Sequence, residues 1–183
     1  MALVLTFVFI GCTGDQETSI SNDADAAKII LPVLDKDWVE IGYIKNGEPV
    51  ITFDTKKALT ALSSNMEKYG DINETYTSVY VANIDGHYNL FFEGETYRTA
   101  FYVKAIQTNS KLATSTSAAT ATTLVATRKI TCTTSDCAHE STGCAVKYDR
   151  ENNDLPYCSP CNNGGKCTKT DVSNAAAVSA GVF

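Results

Sequence analysis

The chain has 183 residues, a hydrophobic fraction of 44%, a formal net charge of −6 and seven cysteines. This length corresponds to one ordinary domain with a small appended region, and the hydrophobic fraction excludes wholesale disorder. The modest negative charge argues against nucleic acid as a partner, because such proteins need a concentrated face of Lys and Arg. The odd cysteine count implies that one cysteine has a role different from the rest.

The N-terminus has the pattern of an export signal. Residues 1–11 form an uncharged apolar run that stops at Cys12, where a polar stretch begins. A transmembrane helix takes roughly 20 apolar residues, so this shorter run suits the apolar part of a signal peptide instead. Its end, Phe9-Ile10-Gly11-Cys12, resembles the lipobox of bacterial lipoproteins. The resemblance implies cleavage before Cys12 and acylation of its thiol.

The lipoprotein resemblance also implies a location. Residues 12–37 are polar and rich in Asp, which suits a tether between a lipid anchor and a folded domain. Asp15 and Glu17 resemble the export signal of surface lipoproteins in bacteroidete-type bacteria. Two or three acyl chains, palmitate among them, anchor a protein stably to a membrane. We therefore expect a cell-envelope protein held on the outer membrane, on its periplasmic or its exposed side. The alternative is a buried first strand with a structural Cys12.

Residues 38–106 show the alternation and turn signals of a small α+β domain. Asn46-Gly47, Asp85-Gly86 and Gly94-Glu95 mark tight turns between strand-like runs, which favours antiparallel pairing. The predicted strands are 38–44, 49–53, 76–84, 87–93 and 96–106.

A helix is predicted between the second and third strands. Asp54 or Thr55 can cap its start, and Gly70 is a suitable stop. Residues at helical spacing form its apolar face: Ala58, Leu59, Leu62, Met66 and Tyr69. The predicted order is therefore β-β-α-β-β-β, with one helix packed across an antiparallel sheet.

Residues 107–127 are rich in Ser, Thr and Ala, and two interpretations are open. The composition is typical of a flexible linker or loop. The alternative is a loop followed by a strand over residues 122–131 that leads into the cysteines. Beyond it we predict a small disulfide-rich module at 128–170 and a tail at 171–183.

Six cysteines lie close together near the C-terminus, separated almost entirely by turn-forming residues. They are Cys132, Cys137, Cys144, Cys158, Cys161 and Cys167. In an exported chain, this density predicts a set of disulfides that holds a segment with little core of its own. The sequence alone does not choose among the pairings.

Three other interpretations compete for these cysteines. Cys158 and Cys161 can form half of a zinc site, completed by Cys132, Cys137 or His139. The C-S-P-C sequence of the same pair resembles the thioredoxin redox motif, although no helix pattern follows it. Residues 160–167, PCNNGGKC, resemble a segment of epidermal growth factor-like domains, which implies only a local glycine turn.

Neither a hydrolase motif nor a phosphate-binding loop occurs in the sequence, and we predict no catalytic residue, metal or cofactor. Alternation along the last strands places aromatic residues on both faces of the sheet. If the helix covers one face, the other can present a binding surface formed by Phe91, Phe92, Tyr97 and Tyr102.

The sequence therefore predicts a lipid-anchored protein with a binding or structural role, and a protein or a glycan as its partner. The alternatives are a thiol–disulfide redox protein that uses Cys158 and Cys161, and an inhibitor-like module.

Overall fold

The computed structural model describes residues 36–110, 119–149, 155–170 and 172–183. Within them the chain is mostly antiparallel β-structure, with one main helix and a C-terminal region that carries three disulfides. The strands of the main sheet are β1 (Trp38–Lys45), β2 (Glu48–Ile51), β3 (Ser78–Ile84), β4 (His87–Glu93), β5 (Arg98–Ser110) and β6 (Ala119–Thr134). The remaining elements are α1 (Thr55–Gly70), β7 (Val146–Asp149), β8 (Leu155–Cys158), β9 (Thr168–Thr170) and α2 (Val172–Val178).

The main sheet has the strand order β2-β1-β6-β5-β4-β3, and all of its neighbouring strands are antiparallel. The edge strands β2 and β3 approach each other, so the sheet is nearly closed and barrel-like. The long strand β6 lies between β1 and β5, and its C-terminal end pairs with β9. Strands β7 and β8 form a separate hairpin. The predicted antiparallel sheet and its β-β-α-β-β-β order are thus confirmed, and the sheet is larger than predicted.

Two of the predicted hairpin turns set the register of the sheet. Asn46 and Gly47 have φ angles of 52° and 86°, and Asp85 and Gly86 have φ angles of 51° and 83°. Positive φ at both central residues defines a type I′ turn, whose twist matches that of the strands it joins. Asn, Asp and Gly tolerate this left-handed region better than other residues. The two turns therefore fix the pairing of β1 with β2 and of β3 with β4.

Helix α1 begins and ends where its capping residues predict. The Asp54 carboxylate accepts a hydrogen bond of 3.0 Å from the backbone N–H of Lys57. Gly70 is the last helical residue, and Asp71 follows it in the left-handed conformation. The predicted apolar face is buried at Ala58, Leu62 and Met66 and partly buried at Leu59. Tyr69 differs: it is 45% exposed because the last turn of α1 lines an open groove.

The inner face of the sheet packs against α1 and forms a first core. Its large buried side chains include Leu62, Leu90, Phe92 and Phe101. The rings of Phe92 and Phe101 meet edge to face, with centroids 5.7 Å apart, a favourable arrangement for aromatic pairs. The first core therefore has the composition of an ordinary apolar core.

The outer face of the sheet is covered by residues 132–149 and 155–167, which we call the disulfide region. Phe91, Ala100 and Ile130 of the sheet form a second core with the cysteines and with Val146. Successive strand residues point to opposite faces, so Phe91 lies in the second core and Phe92 in the first. The prediction of aromatics on both faces is confirmed, but here the outer face is covered.

Residues 119–134 form β6, which confirms the strand alternative for residues 122–131. Strand β5 continues to Ser110, and residues 111–118 lie outside the described part of the chain. Leu124, Val125 and Ala126 of β6 are all buried. A central strand is packed on both faces, so small Ala and Thr side chains are favourable there although their composition resembles that of a linker.

Residues 172–183, predicted as a tail, return to the first core. Helix α2 packs beside α1, and the Asn65 side-chain amide donates hydrogen bonds to the carbonyls of Val178 (2.9 Å) and Ala180 (2.8 Å). The Phe183 ring meets the Phe101 ring edge to face at 5.4 Å. The described C-terminal residues therefore close one end of the first core.

Candidate functional site

The clustered cysteines form three disulfides, as their even number predicts. The bridges join Cys132 to Cys158, Cys137 to Cys161 and Cys144 to Cys167. In chain order the first cysteine pairs with the fourth, the second with the fifth and the third with the sixth, so each closed loop overlaps the other two. Because Cys132 belongs to β6, this overlap ties the whole disulfide region to the centre of the sheet.

The pairing separates the two cysteines of the C-S-P-C sequence. Cys158 is bonded to Cys132 and Cys161 to Cys137, so the motif does not form a disulfide of its own. The sulfur atoms of Cys132, Cys158 and Cys167 lie within 4.8 Å of one another. Each of them is already in a disulfide, and a metal needs free thiolates. The zinc alternative would therefore require reduction of the bridges.

Two carboxylates hold the turns of the disulfide region. Glu140 accepts a hydrogen bond of 2.9 Å from the backbone N–H of Asn162. Asp136 accepts one of 2.8 Å from the backbone N–H of Lys166, and this bond lowers the pKa of the Asp136 carboxyl. A Cβ atom on Gly165 would lie 2.4 Å from the Cβ of Asp136. Glycine is therefore required where this turn passes the carboxylate.

Arg98 joins the sheet to the disulfide region from the inside. Its side chain is buried, and its guanidinium donates hydrogen bonds to the carbonyls of Glu140 and, at 2.7 Å, Gly143. The guanidinium carbon lies 4.8 Å from the centroid of the Phe91 ring, within cation–π range. The sequence shows a charged residue in a strand, but its partners are carbonyls more than forty residues away. No local pattern could have identified them.

His139 forms a second link between the same two parts. Its Nδ1 lies 2.8 Å from a carboxylate oxygen of Glu93, and its Nε2 lies 2.9 Å from the carbonyl oxygen of Glu95. The other Glu93 oxygen accepts a hydrogen bond from the Tyr80 hydroxyl at 3.0 Å. The Glu93 carboxylate, and next the Glu95 carbonyl, raise the pKa of His139. Both ring nitrogens face oxygen atoms that accept hydrogen bonds, so this arrangement favours the doubly protonated, cationic form of His139.

The aromatic residues predicted as one binding surface lie in different places. Phe91 is 1% exposed and Phe92 is 0% exposed, because the disulfide region covers the first and α1 covers the second. Tyr97 is half-buried and lines the groove beside α1. Tyr102 is half-buried on the outer face. The structure therefore brings only Tyr97 and Tyr102 of this set to the surface, at two separate sites.

Tyr102 is the centre of an aromatic row on the outer face, formed by Trp38, Tyr102 and Tyr148. The Tyr102 ring centroid lies 6.2 Å from that of Trp38 and 4.4 Å from that of Tyr148. The Lys104 ammonium lies 5.3 Å from the centre of the Trp38 ring. Trp38 opens β1 and Tyr148 belongs to β7, so sequence alternation within β3–β5 could not have grouped them with Tyr102.

A groove lies at the edge of the disulfide region. It has a volume of about 610 Å³ and lies between the C-terminal end of α1 and the segment that follows β6. This volume is within the roughly 300–1,000 Å³ typical of small-ligand sites. Tyr69 and Tyr97 line it, and buried Met66 and Val178 lie beneath them.

The rim of the groove is polar. Lys166, Thr168 and Lys169 are exposed on the side of the disulfide region and β9, and Asn174 is exposed on α2. Asp136 is the one carboxylate among the described residues that line the groove. Aromatic rings on the sides together with a few polar groups at the rim are a composition found in ligand-binding grooves.

No protein-family model, curated protein or solved structure matches this chain. Among the helices of the described ranges, none has the length and hydrophobicity required to span a membrane. Residues 1–35, which contain Cys12 and the lipobox-like segment, lie outside these ranges. A function for this chain is therefore inferred from three features: the groove, the bridges and the N-terminal sequence pattern.

Proposed function

We propose that this chain is a lipid-anchored cell-envelope protein that binds a ligand in the groove and has a non-catalytic role. The anchor is Cys12, and the polar residues 12–37 connect it to the folded part. Support for the anchor comes from the sequence Phe9-Ile10-Gly11-Cys12 at the boundary between apolar and polar residues. The location is the outer membrane, with the folded part on its periplasmic or its exposed side.

The observation that carries the binding role is the construction of the groove. One side is the end of α1, which is fixed by the first core, and the other side is fixed by the bridges at Cys137 and Cys144. A site whose walls are already fixed loses little conformational entropy when it binds a ligand. The groove therefore has the rigidity that selective binding needs.

The three disulfides support a compartment outside the cytoplasm. Cytosolic thiol systems keep most cysteines reduced, whereas disulfides persist in the periplasm and on cell surfaces. The redox alternative is weakened by the pairing, because Cys158 and Cys161 belong to different bridges.

One observation favours the inhibitor-like alternative as a second candidate. Leu155 and Tyr157 of β8 are 60% and 43% exposed, next to the bridged Cys158. An exposed apolar pair on a strand fixed by a disulfide can occupy a protease subsite. Inhibition of a chymotrypsin-like protease that is lost in Leu155→Ala/Tyr157→Ala would support this candidate, and its absence would exclude that protease class.

The anchor is tested on the protein isolated from membranes of the cells that produce it. We expect an intact mass that begins at an acylated Cys12, and release into the soluble fraction on Cys12→Ser. An unmodified residue 1, or a free Cys12 thiol in the mature chain, would contradict the anchor.

The binding role is tested separately on the full chain carrying Cys12→Ser. An array of neutral and acidic oligosaccharides and of peptides should contain ligands that Tyr69→Ala weakens. Ligands that are insensitive to every substitution in the groove would contradict the assignment of the site.

A further inference from the structure

The sides of the groove carry two aromatic rings. Tyr69 projects from the last turn of α1 with 45% of its surface exposed, and Tyr97 lies just before β5, half-buried. Tyrosine rings combine an apolar face with a polar hydroxyl, and they lose little entropy on binding. Flat rings of this kind pack well against the C–H faces of a sugar ring.

The polar groups of the groove are mainly hydroxyl and amide groups. Thr168 and Asn174 are exposed at the rim. Deeper in the groove the hydroxyl of Thr134 donates to the carbonyl of Lys166 at 2.7 Å. This bond fixes the turn at Lys166 to the end of β6. Hydroxyl and amide groups can both donate and accept hydrogen bonds. They therefore suit a ligand with many hydroxyl groups of its own.

The charge of the groove is opposite in sign to that of the chain. The net charge of the protein is −6, yet Lys166 and Lys169 lie on the rim. Asp136 is the one carboxylate among the described lining residues, so the two lysines outnumber the acidic side chains there. The groove thus favours an anion over a neutral or cationic ligand.

The apolar base argues for a sugar rather than an acidic peptide. Met66 and Val178 are buried, so they present almost no surface to a ligand. Peptide recognition relies on open pockets for alternate side chains, whereas a sugar chain needs rings and hydrogen-bonding groups near the surface.

We infer that the groove binds acidic oligosaccharides, that is, sugar chains that carry uronate carboxylates. The sugar rings pack against Tyr69 and Tyr97, and the carboxylates face Lys166 and Lys169. This inference rests on the proposed binding role of the same groove and names its ligand class.

Calorimetric titration of the full chain carrying Cys12→Ser with an oligogalacturonate tests this inference. A neutral galactose oligomer of the same length should bind roughly tenfold more weakly, since it lacks the charges that face the lysines. Poly-L-glutamate should not displace the sugar, because it has no rings to pack against the tyrosines.

Substitutions in the groove locate the site. Lys166→Gln/Lys169→Gln should weaken oligogalacturonate binding roughly five- to tenfold and reduce its dependence on salt. Tyr69→Ala should weaken both sugars, by about fivefold. The matched controls are Lys45→Gln/Lys56→Gln and Tyr43→Ala, which remove exposed groups of the same kinds outside the groove and should have no effect.

Equal affinity for the acidic and neutral sugars would overturn the inference, and so would the absence of any sugar binding. Binding of poly-L-glutamate that is lost in the double lysine variant would also overturn it, while it would leave the proposed binding groove intact. Failure of the proposed function would look different, because then no ligand class would respond to substitutions in the groove.

Discussion

The two faces of the main sheet are covered in different ways. Helix α1 covers the inner face with Leu62 and its apolar neighbours, against Phe92 and Phe101 of the sheet. The disulfide region covers the outer face mainly with cysteines, alanines and Val146. Both faces are buried, but only the first is held by side chains large enough to stabilise it by burial alone.

The difference follows from the amount of apolar surface in each segment. Burial of one large apolar side chain contributes about 1.5–3 kcal/mol, and α1 buries two such side chains, Leu62 and Met66. The disulfide region is dominated by turns and has few such side chains. Each bridge contributes about 2–4 kcal/mol instead, largely by constraining the unfolded chain. A segment with little apolar content can therefore cover a sheet if covalent bonds and hydrogen bonds replace the missing packing.

Phe92→Ala tests the first core and should have the largest effect. Removal of this buried ring should cost about 3–5 kcal/mol of unfolding free energy, and it should destabilise the whole chain because the first core spans the sheet. Urea denaturation followed by tryptophan fluorescence measures the change. Tyr43→Ala, at an exposed tyrosine of β1, is the control and should cost about 0.5 kcal/mol or less. A loss for Phe92→Ala as small as that of the control would contradict the assignment of this core.

Removal of one bridge should affect mainly the second face. We expect Cys144→Ala/Cys167→Ala to cost about 2–4 kcal/mol, with the loss concentrated in the disulfide region. Hydrogen exchange should show faster exchange for amides of residues 135–149 and 155–167, while β1 and α1 keep their protection. Equal loss of protection in α1 would mean that the two faces unfold as a single cooperative unit. The bridges would then stabilise the inner face as much as the outer face.

Arg98→Met tests the buried polar link of the second face. The substitution keeps much of the apolar stem, but it leaves the carbonyls of Glu140 and Gly143 without their donor. We expect a loss of about 1–3 kcal/mol of unfolding free energy, measured by urea denaturation. Lys104→Met removes an exposed cation from the same strand and should change stability by about 0.5 kcal/mol or less. Equal effects of the two substitutions would show that Arg98 contributes no more than a surface charge.

The parts of the fold that could be predicted are those that local signals determine. Asn46-Gly47 and Asp85-Gly86 have few conformations other than tight turns, and Asp54 caps α1 through its own side chain. The even set of cysteines likewise predicted a closed disulfide set. These features depend on neighbours in sequence, so the sequence order of β1 to β5 could be obtained without the structure.

The parts that could not be predicted depend on distant partners. Strand β6 could be predicted only as one of two alternatives, since its Ala- and Thr-rich composition also fits a linker and its place between β1 and β5 depends on distant pairing. Phe91 was predicted to reach the surface because nothing in its strand indicates that the disulfide region covers it. Tyr69 and Tyr97 line one groove only because the end of α1 and the turn before β5 lie at the same place in the fold.

The link through His139 should have the smallest effect and should depend on pH. Its hydrogen bonds to Glu93 and Glu95 raise the pKa of His139 in the folded chain above the unfolded value of about 6.5. The link therefore stabilises the chain fully below about pH 6.5, and this contribution disappears as the pH rises through the raised folded pKa. Urea denaturation between acidic and alkaline pH should show a difference between the unmodified chain and His139→Gln that shrinks towards alkaline pH. A difference that stays constant or grows with pH would mean that His139 is neutral in the fold and forms no ion pair with Glu93.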